Sequence, residues 1–141
     1  MKRTGSAVWT GGLKEGKGNL ATGSGTLRET PYSFSARFEN GAGTNPEELI
    51  AAAHAGCFAM ALSAQLGGAN ITPAKIEATA EVSLEKLDSG WTITASHLHV
   101  NLNAPGADRV ACEKAANEAK ANCPVSRLLN AKITMDLTIA V

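Results

Sequence analysis

The groups able to do redox or nucleophilic chemistry are few. They are Cys57, Cys112 and Cys123, with His54, His97 and His99 as the histidines. Cys57 sits in GTNPEELIAAAHAGCFAMAL, residues 43–62, well inside an alanine-rich run. A lone cysteine there reads first as a small apolar core residue, because free cysteine is among the most buried residue types. Reactivity would require a thiolate, and so a nearby cation or a helix N-terminus. Cys57 lies about a dozen residues in from the start of its helix, where the dipole no longer helps. A cation must then come from another segment. Arg37 is the leading candidate: YSFSARF, residues 32–38, alternates as a strand, with Tyr32, Phe34, Ala36 and Phe38 on one face and Ser33, Ser35 and Arg37 on the other. Taken alone, such an arginine is a solvated strand residue.

Cys123 differs in kind. Cys-Pro at a helix start puts the sulfur at the N-cap and Pro124 at the first helical position, where free N–H groups favour a thiolate; the alternative is a small residue before a proline turn. Cys112 has no charged partner suggested by spacing and reads as structural or as a stray thiol. His54 is one helical turn before Cys57, which makes a Cys/His pair conceivable, although a histidine satisfied by another partner is the simpler reading. His97 and His99 share one strand face without a third ligand at metal-site spacing.

The elements that must position these groups follow from pattern. Short alternating runs, SAVWT and NLATGSGTL, read as strands joined by glycine turns at 11–12 and 15–18. A helix starts at Asn45-Pro46-Glu47-Glu48, with Asn45 as N-cap, Pro46 at the first position and two glutamates at the positive end of the dipole. It should run to about Leu66, stop at Gly67-Gly68, and be buried nearly all round. KIEATAEVSLEKL and WTITASHLHVNLNA form a hairpin through Asp88-Ser89-Gly90, residues 107–122 a second helix, NCPVSRLL a fresh start and KITMDLTIAV a closing strand. Strands, helix, strands, helix, strand make the class α+β, in a single domain spanning residues 1–141.

Over 141 residues, 13 basic and 13 acidic groups are dispersed without a basic patch, which argues against nucleic acid and anionic membranes as partners. The amino terminus lacks the apolar core of a signal peptide, and His54, Gly56, Ser63 and Gln65 interrupt the longest apolar stretch, so a cytoplasmic protein is expected. An odd number of cysteines without a CxxC pair argues against a disulfide framework and against structural zinc.

TNPEELIAAAHAGCFAMAL, with YSFSARF before it and NCPVSRLL after it, resembles the OsmC (osmotically inducible protein C) branch of the superfamily that includes the organic hydroperoxide resistance proteins. The likeness runs over essentially the whole chain. It implies an OsmC-like fold, with antiparallel sheets around a long buried helix in an intertwined homodimer. It also implies a thiol peroxidase that reduces organic hydroperoxides without a metal or bound cofactor, using an external dithiol such as a dihydrolipoyl group. By the same resemblance Cys57 is the peroxidatic cysteine, Cys123 the resolving cysteine, Arg37 the arginine that holds the thiolate, and Glu47 the carboxylate that orients Arg37. Helix geometry adds a constraint. Ten residues of helix, from Glu47 to Cys57, span about 15 Å. If Glu47, Arg37 and Cys57 share a site, either the helix breaks or Glu47 comes from a second chain. Two other classes stay open: a redox sensor or small-molecule binding stress protein without turnover, and a metal-binding module built on His97 and His99.

Overall fold

Alternation broken by glycine produces hairpins, and the computed structural model, which describes Met1–Val141, opens with one. Strands β1 (Gly5–Thr10) and β2 (Lys17–Thr22) pair antiparallel from Gly5↔Thr22 to Thr10↔Lys17, and β3 (Thr30–Tyr32) adds to β2. Gly18 makes a close approach possible. A Cβ there would lie 2.2 Å from Tyr32 Cε1 and 2.8 Å from Trp9 Cε3, so only glycine lets these two rings pack across β2.

The segment YSFSARF is not a strand. After Tyr32 the chain turns into α1 (Phe34–Phe38), with Ser33 as N-cap accepting from the Ala36 N–H at 3.1 Å. Such a cap is worth about 1 kcal/mol, and the helical turn brings Phe34 and Phe38 to a ring separation of 4.9 Å. Alternation over seven residues loses here to a serine cap and an i,i+4 aromatic pair. In consequence Arg37 does not face away from the aromatics: its guanidinium lies over the Phe38 ring, 5.2 Å from the centroid.

Helix α2 (Pro46–Gly68) is a single unbroken helix. Asn45 caps it, its Oδ1 accepting from the Glu48 N–H at 2.8 Å, as the sequence suggests. The chain forms two compact units, Met1–Leu49 and Ile50–Val141. In the second, a stripe at four-residue spacing, His54, Phe58, Leu62 and Leu66, is completely buried. The expectation of burial all round is not met: Ala52, Ala53, Gly56, Met60 and Ala64 on the other side are exposed, Met60 by 78%. The helix is long and apolar enough to cross a bilayer by length and composition. Its buried stripe is committed instead to the core of a folded domain.

That core is completed by a second sheet. Strands β4 (Lys75–Leu87) and β5 (Gly90–Asn103) form the expected hairpin, with Gly90 at φ 116°. β6 (Lys132–Ala140) pairs with β5 in parallel, from Ala95↔Lys132 to Asn103↔Ala140, so this sheet is mixed rather than wholly antiparallel. Ser96, Leu98, Val100 and Leu102 of β5 point into the core. Helix α3 (Arg109–Asn122), capped by Asp108, contributes Cys112, Ala115, Ala116 and Ala119, and α4 (Pro124–Leu128) starts at Cys123. Full burial of each large aliphatic or aromatic side chain contributes roughly 1.5–3 kcal/mol.

Candidate active site

In the first unit, the turn of α1 and the capped start of α2 bring Arg37 onto Glu47. The Nε–H donates to both carboxylate oxygens at 3.2 Å, and Nη2 donates to Oε1 at 2.7 Å. Glu47 is nearly buried, with 11% of its side chain exposed, whereas Arg37 retains 37%. The first turn of α2 supplies a positive dipole end for the carboxylate. The fork is thus fixed by its own carboxylate while part of it faces solvent. Beside it lies a hollow of about 260 Å³, lined by Trp9, Leu13, Tyr32, Ser33, Phe34, Arg37 and Phe38. Trp9 and Tyr32 meet with their ring centroids 5.4 Å apart. A single guanidinium on an otherwise largely apolar wall suits a molecule with a small polar end and an organic body.

In the second unit, Cys57 and Cys123 come together although they are distant in sequence. Cys57 lies within electrostatic reach of the Cys123 side chain and of the backbone N–H of Val125. Burial pushes the Cys57 thiol above its ordinary pKa; the Val125 N–H pulls it down, and the Cys123 neighbour pushes it up again. Cys123 is the N-cap of α4, its sulfur accepting from the Ser126 N–H at 3.3 Å and lying 3.2 Å from Ser126 Oγ. All three cysteines are free thiols. Cys112 is completely buried, and that burial raises its pKa further than Arg109 lowers it.

His54 does not pair with Cys57. Both of its ring nitrogens are taken: Nδ1 is 2.7 Å from Ser96 Oγ, and Nε2 is 2.8 Å from Ser126 Oγ. Ser96 and Ser126 were not among the residues singled out from the sequence. Ser96 carried a signal, since it falls on the β5 face otherwise occupied by Leu98, Val100 and Leu102. A polar residue in such a row needs a buried partner. His97 and His99 lie on the opposite face of β5. There the parallel pairing of β6 supplies the third group that spacing alone did not reveal: Asp136 Oδ2 lies 3.0 Å from His97 Nε2 and 3.8 Å from His99 Nδ1. His97 Nδ1 also meets Thr134 Oγ1 at 2.5 Å. This cluster is solvent-facing and on the other side of the sheet from the thiols.

Paired thiols at a helix start, on an α+β scaffold with a long core helix, are the groups of a cysteine-based redox protein. The chain belongs to the OsmC-like protein family, whose family model matches residues 39–138. A peroxiredoxin OsmC from Escherichia coli (strain K12) is 51% identical over 136 residues, covering 96% of this chain and 95% of that protein. The crystal structure of the organic hydroperoxide resistance protein OhrB of Bacillus subtilis superposes with a TM-score of 0.73 at 29% identity, covering 96% of this chain and 98% of that one. An OsmC-like protein from Mycoplasma pneumoniae shares the fold, with a TM-score of 0.77 at 16% identity over 100% and 99% of the two chains. The family match begins after Arg37, so its stretch contains Glu47, Cys57 and Cys123 but not the arginine.

Proposed function

We propose that this protein is a cysteine-based peroxidase that reduces organic hydroperoxides to alcohols in oxidative and osmotic stress defence, in the cytoplasm. The observation that carries this is the meeting of Cys57 and Cys123 at the start of α4, in a chain half identical to a peroxiredoxin. The Cys57 thiolate attacks the outer peroxide oxygen, so that an S–O bond forms and the O–O bond breaks. The alkoxide leaves and takes up a proton, and Cys57 becomes a sulfenic acid. Cys123 then attacks that sulfur; an S–S bond forms and the hydroxyl departs as water. An external dithiol, of the dihydrolipoyl type, reopens the disulfide by two thiol–disulfide exchanges and leaves as its own disulfide. No bound cofactor enters the cycle.

Arg37 supplies the cation that Cys57 lacks. It stabilises the thiolate and the negative charge growing on the leaving oxygen, and Glu47 keeps its fork oriented. Because α2 is unbroken, Glu47 and Cys57 stand about 15 Å apart along one axis. We infer from this separation a site shared between two chains of a homodimer, with the ion pair of one chain beside the thiols of the other. Two features support this assembly. The exposed face of α2 consists mostly of small residues around an exposed Met60, and a Cβ added at Gly56 would meet nothing within 4 Å, which leaves room for a second helix to approach.

The test is steady-state consumption of cumene hydroperoxide and of hydrogen peroxide, each with dihydrolipoamide and with glutathione. Multiple turnovers with faster use of the organic peroxide are expected; one stoichiometric oxidation without turnover would identify a redox sensor instead.

A further inference from the structure

His54 has no part in the reaction above, yet it is completely buried and hydrogen-bonded through both nitrogens. Its partner Ser126 also touches the resolving thiol. The result is a continuous line: Ser96 Oγ to His54 Nδ1 at 2.7 Å, His54 Nε2 to Ser126 Oγ at 2.8 Å, and Ser126 Oγ to Cys123 Sγ at 3.2 Å. The members come from β5, α2 and the capped start of α4, so three separate segments converge on it. Burial lowers the His54 pKa and keeps the ring neutral, with one nitrogen carrying hydrogen and the other accepting. The line can be satisfied with its protons running in either direction; the direction that serves the reaction has Cys123 S–H donating to Ser126 Oγ, Ser126 O–H to His54 Nε2, and His54 Nδ1–H to Ser96 Oγ. A buried polar chain of this kind is costly unless fully satisfied, and here each link is made.

We propose that Ser126 and His54 are a proton relay for Cys123, accepting its proton as it attacks the Cys57 sulfenic acid, with Ser96 holding the imidazole tautomer. This rests on the Cys57–Cys123 disulfide of the preceding reading. In the step, the Cys123 proton moves to Ser126 Oγ while the Ser126 hydroxyl proton moves to His54 Nε2. The freed electron pair on Cys123 forms the S–S bond, and the Cys57 S–O bond breaks. The departing hydroxide takes a proton from solvent to become water, and the imidazolium returns its own proton to solvent. Cys123 sulfur is oxidised and Cys57 sulfur reduced; the hydroperoxide that made the sulfenic acid is the only oxidant consumed. Burial makes His54 a poor host for a lasting positive charge. The transfer is accordingly concerted with S–S formation, and the Ser126 N–H, already aimed at the sulfur, steadies the charge in passage.

The experiment gives reduced protein one equivalent of cumene hydroperoxide in rapid mixing, with dimedone quenching and mass analysis of sulfenic acid and disulfide. Ser126→Ala and His54→Gln should lower the ratio of disulfide-forming to peroxide-consuming rate by about 10²-fold, with sulfenic acid accumulating. Ser126→Thr, which keeps the hydroxyl, should stay close to wild type. A solvent deuterium isotope effect on disulfide formation should be present in wild type and absent from Ser126→Ala. Disulfide formation at the wild-type rate in Ser126→Ala overturns the relay, and so does a Ser126→Thr protein as slow as the alanine variant. If His54→Gln does not fold, the two Ser126 variants decide. A wild-type protein that consumes peroxide without forming the Cys57–Cys123 disulfide overturns the disulfide itself, a result distinct from failure of the relay alone.

Discussion

The two units differ in the chemistry their side chains offer. Residues 1–49 contain a guanidinium clamped by a carboxylate beside a hollow with a largely apolar wall, but no cysteine. Residues 50–141 contain the meeting thiols, and what acts on Cys57 there is burial, one backbone N–H and a second thiol. Burial raises a thiol pKa and only an opposing positive charge brings it far down. On the proposed reading, neither half alone is a peroxidase. The first can bind and polarise without reacting; the second can form a disulfide without being fast.

The largest effect expected on this contrast comes from the thiol half. Cys57→Ser should abolish hydroperoxide turnover with the circular dichroism spectrum unchanged; near-normal turnover would move the chemistry to another residue. From the charge half, Arg37→Ala should lower kcat/KM by about 10²–10³-fold, since it removes both thiolate and transition-state stabilisation. The pH at which Cys57 becomes half-alkylatable should rise as well, because loss of a cation favours the neutral thiol. Arg37→Lys should recover only part of either effect, as the bidentate fork is lost. An unchanged alkylation midpoint in Arg37→Ala would leave Arg37 as a surface residue paired with Glu47.

A smaller change sharpens what the first unit contributes beyond charge. Phe34→Ala opens the wall of the hollow and should reduce the preference for cumene hydroperoxide over hydrogen peroxide roughly tenfold. Equal losses on both peroxides would place the organic body elsewhere. The mildest effect belongs to the second unit alone. His54 has a pKa below its ordinary 6.5 in the folded state, so unfolding takes up a proton in that window. Stability should be full above about pH 6.5 and fall as pH drops below it towards the folded pKa. Urea midpoints measured from about pH 7.5 down to 5 should show this fall in wild type and a flatter profile in His54→Gln.

Much of the thiol half was legible in the sequence because its signals are local. Cys123-Pro124 marks the cap of α4, and Asp88-Ser89-Gly90 marks the hairpin. The charge half was harder to read. Tyr32 to Phe38 fits a strand by alternation, but the Ser33 cap on the Ala36 N–H and the Phe34–Phe38 ring pair turn it into a helix that swings Arg37 over Phe38. The meeting of Asp136 with His97 and His99 depends on a parallel register between distant segments, and no local pattern encodes it. The hollow required Trp9 and Phe34 to converge from different elements, with Gly18 making space for the Trp9 and Tyr32 rings. The open face of α2 is mostly alanine and glycine, which suit a core as well as a surface, so composition alone did not divide the buried stripe from the open one.

The proposal that the site is shared between two chains can be tested directly by complementation. Glu47→Ala protein, with a disabled ion pair, and Cys57→Ser protein, with a disabled thiol, are each inactive by this reasoning. Unfolded together in equal amounts and refolded, they should pair at random, so that about half of the dimers are mixed and each mixed dimer holds one intact site. Hydroperoxide turnover should return to about one quarter of that of wild type refolded in parallel. Efficient recovery of mixed dimers with no turnover would contradict a site built from two chains and would require the ion pair and the thiol to act within one.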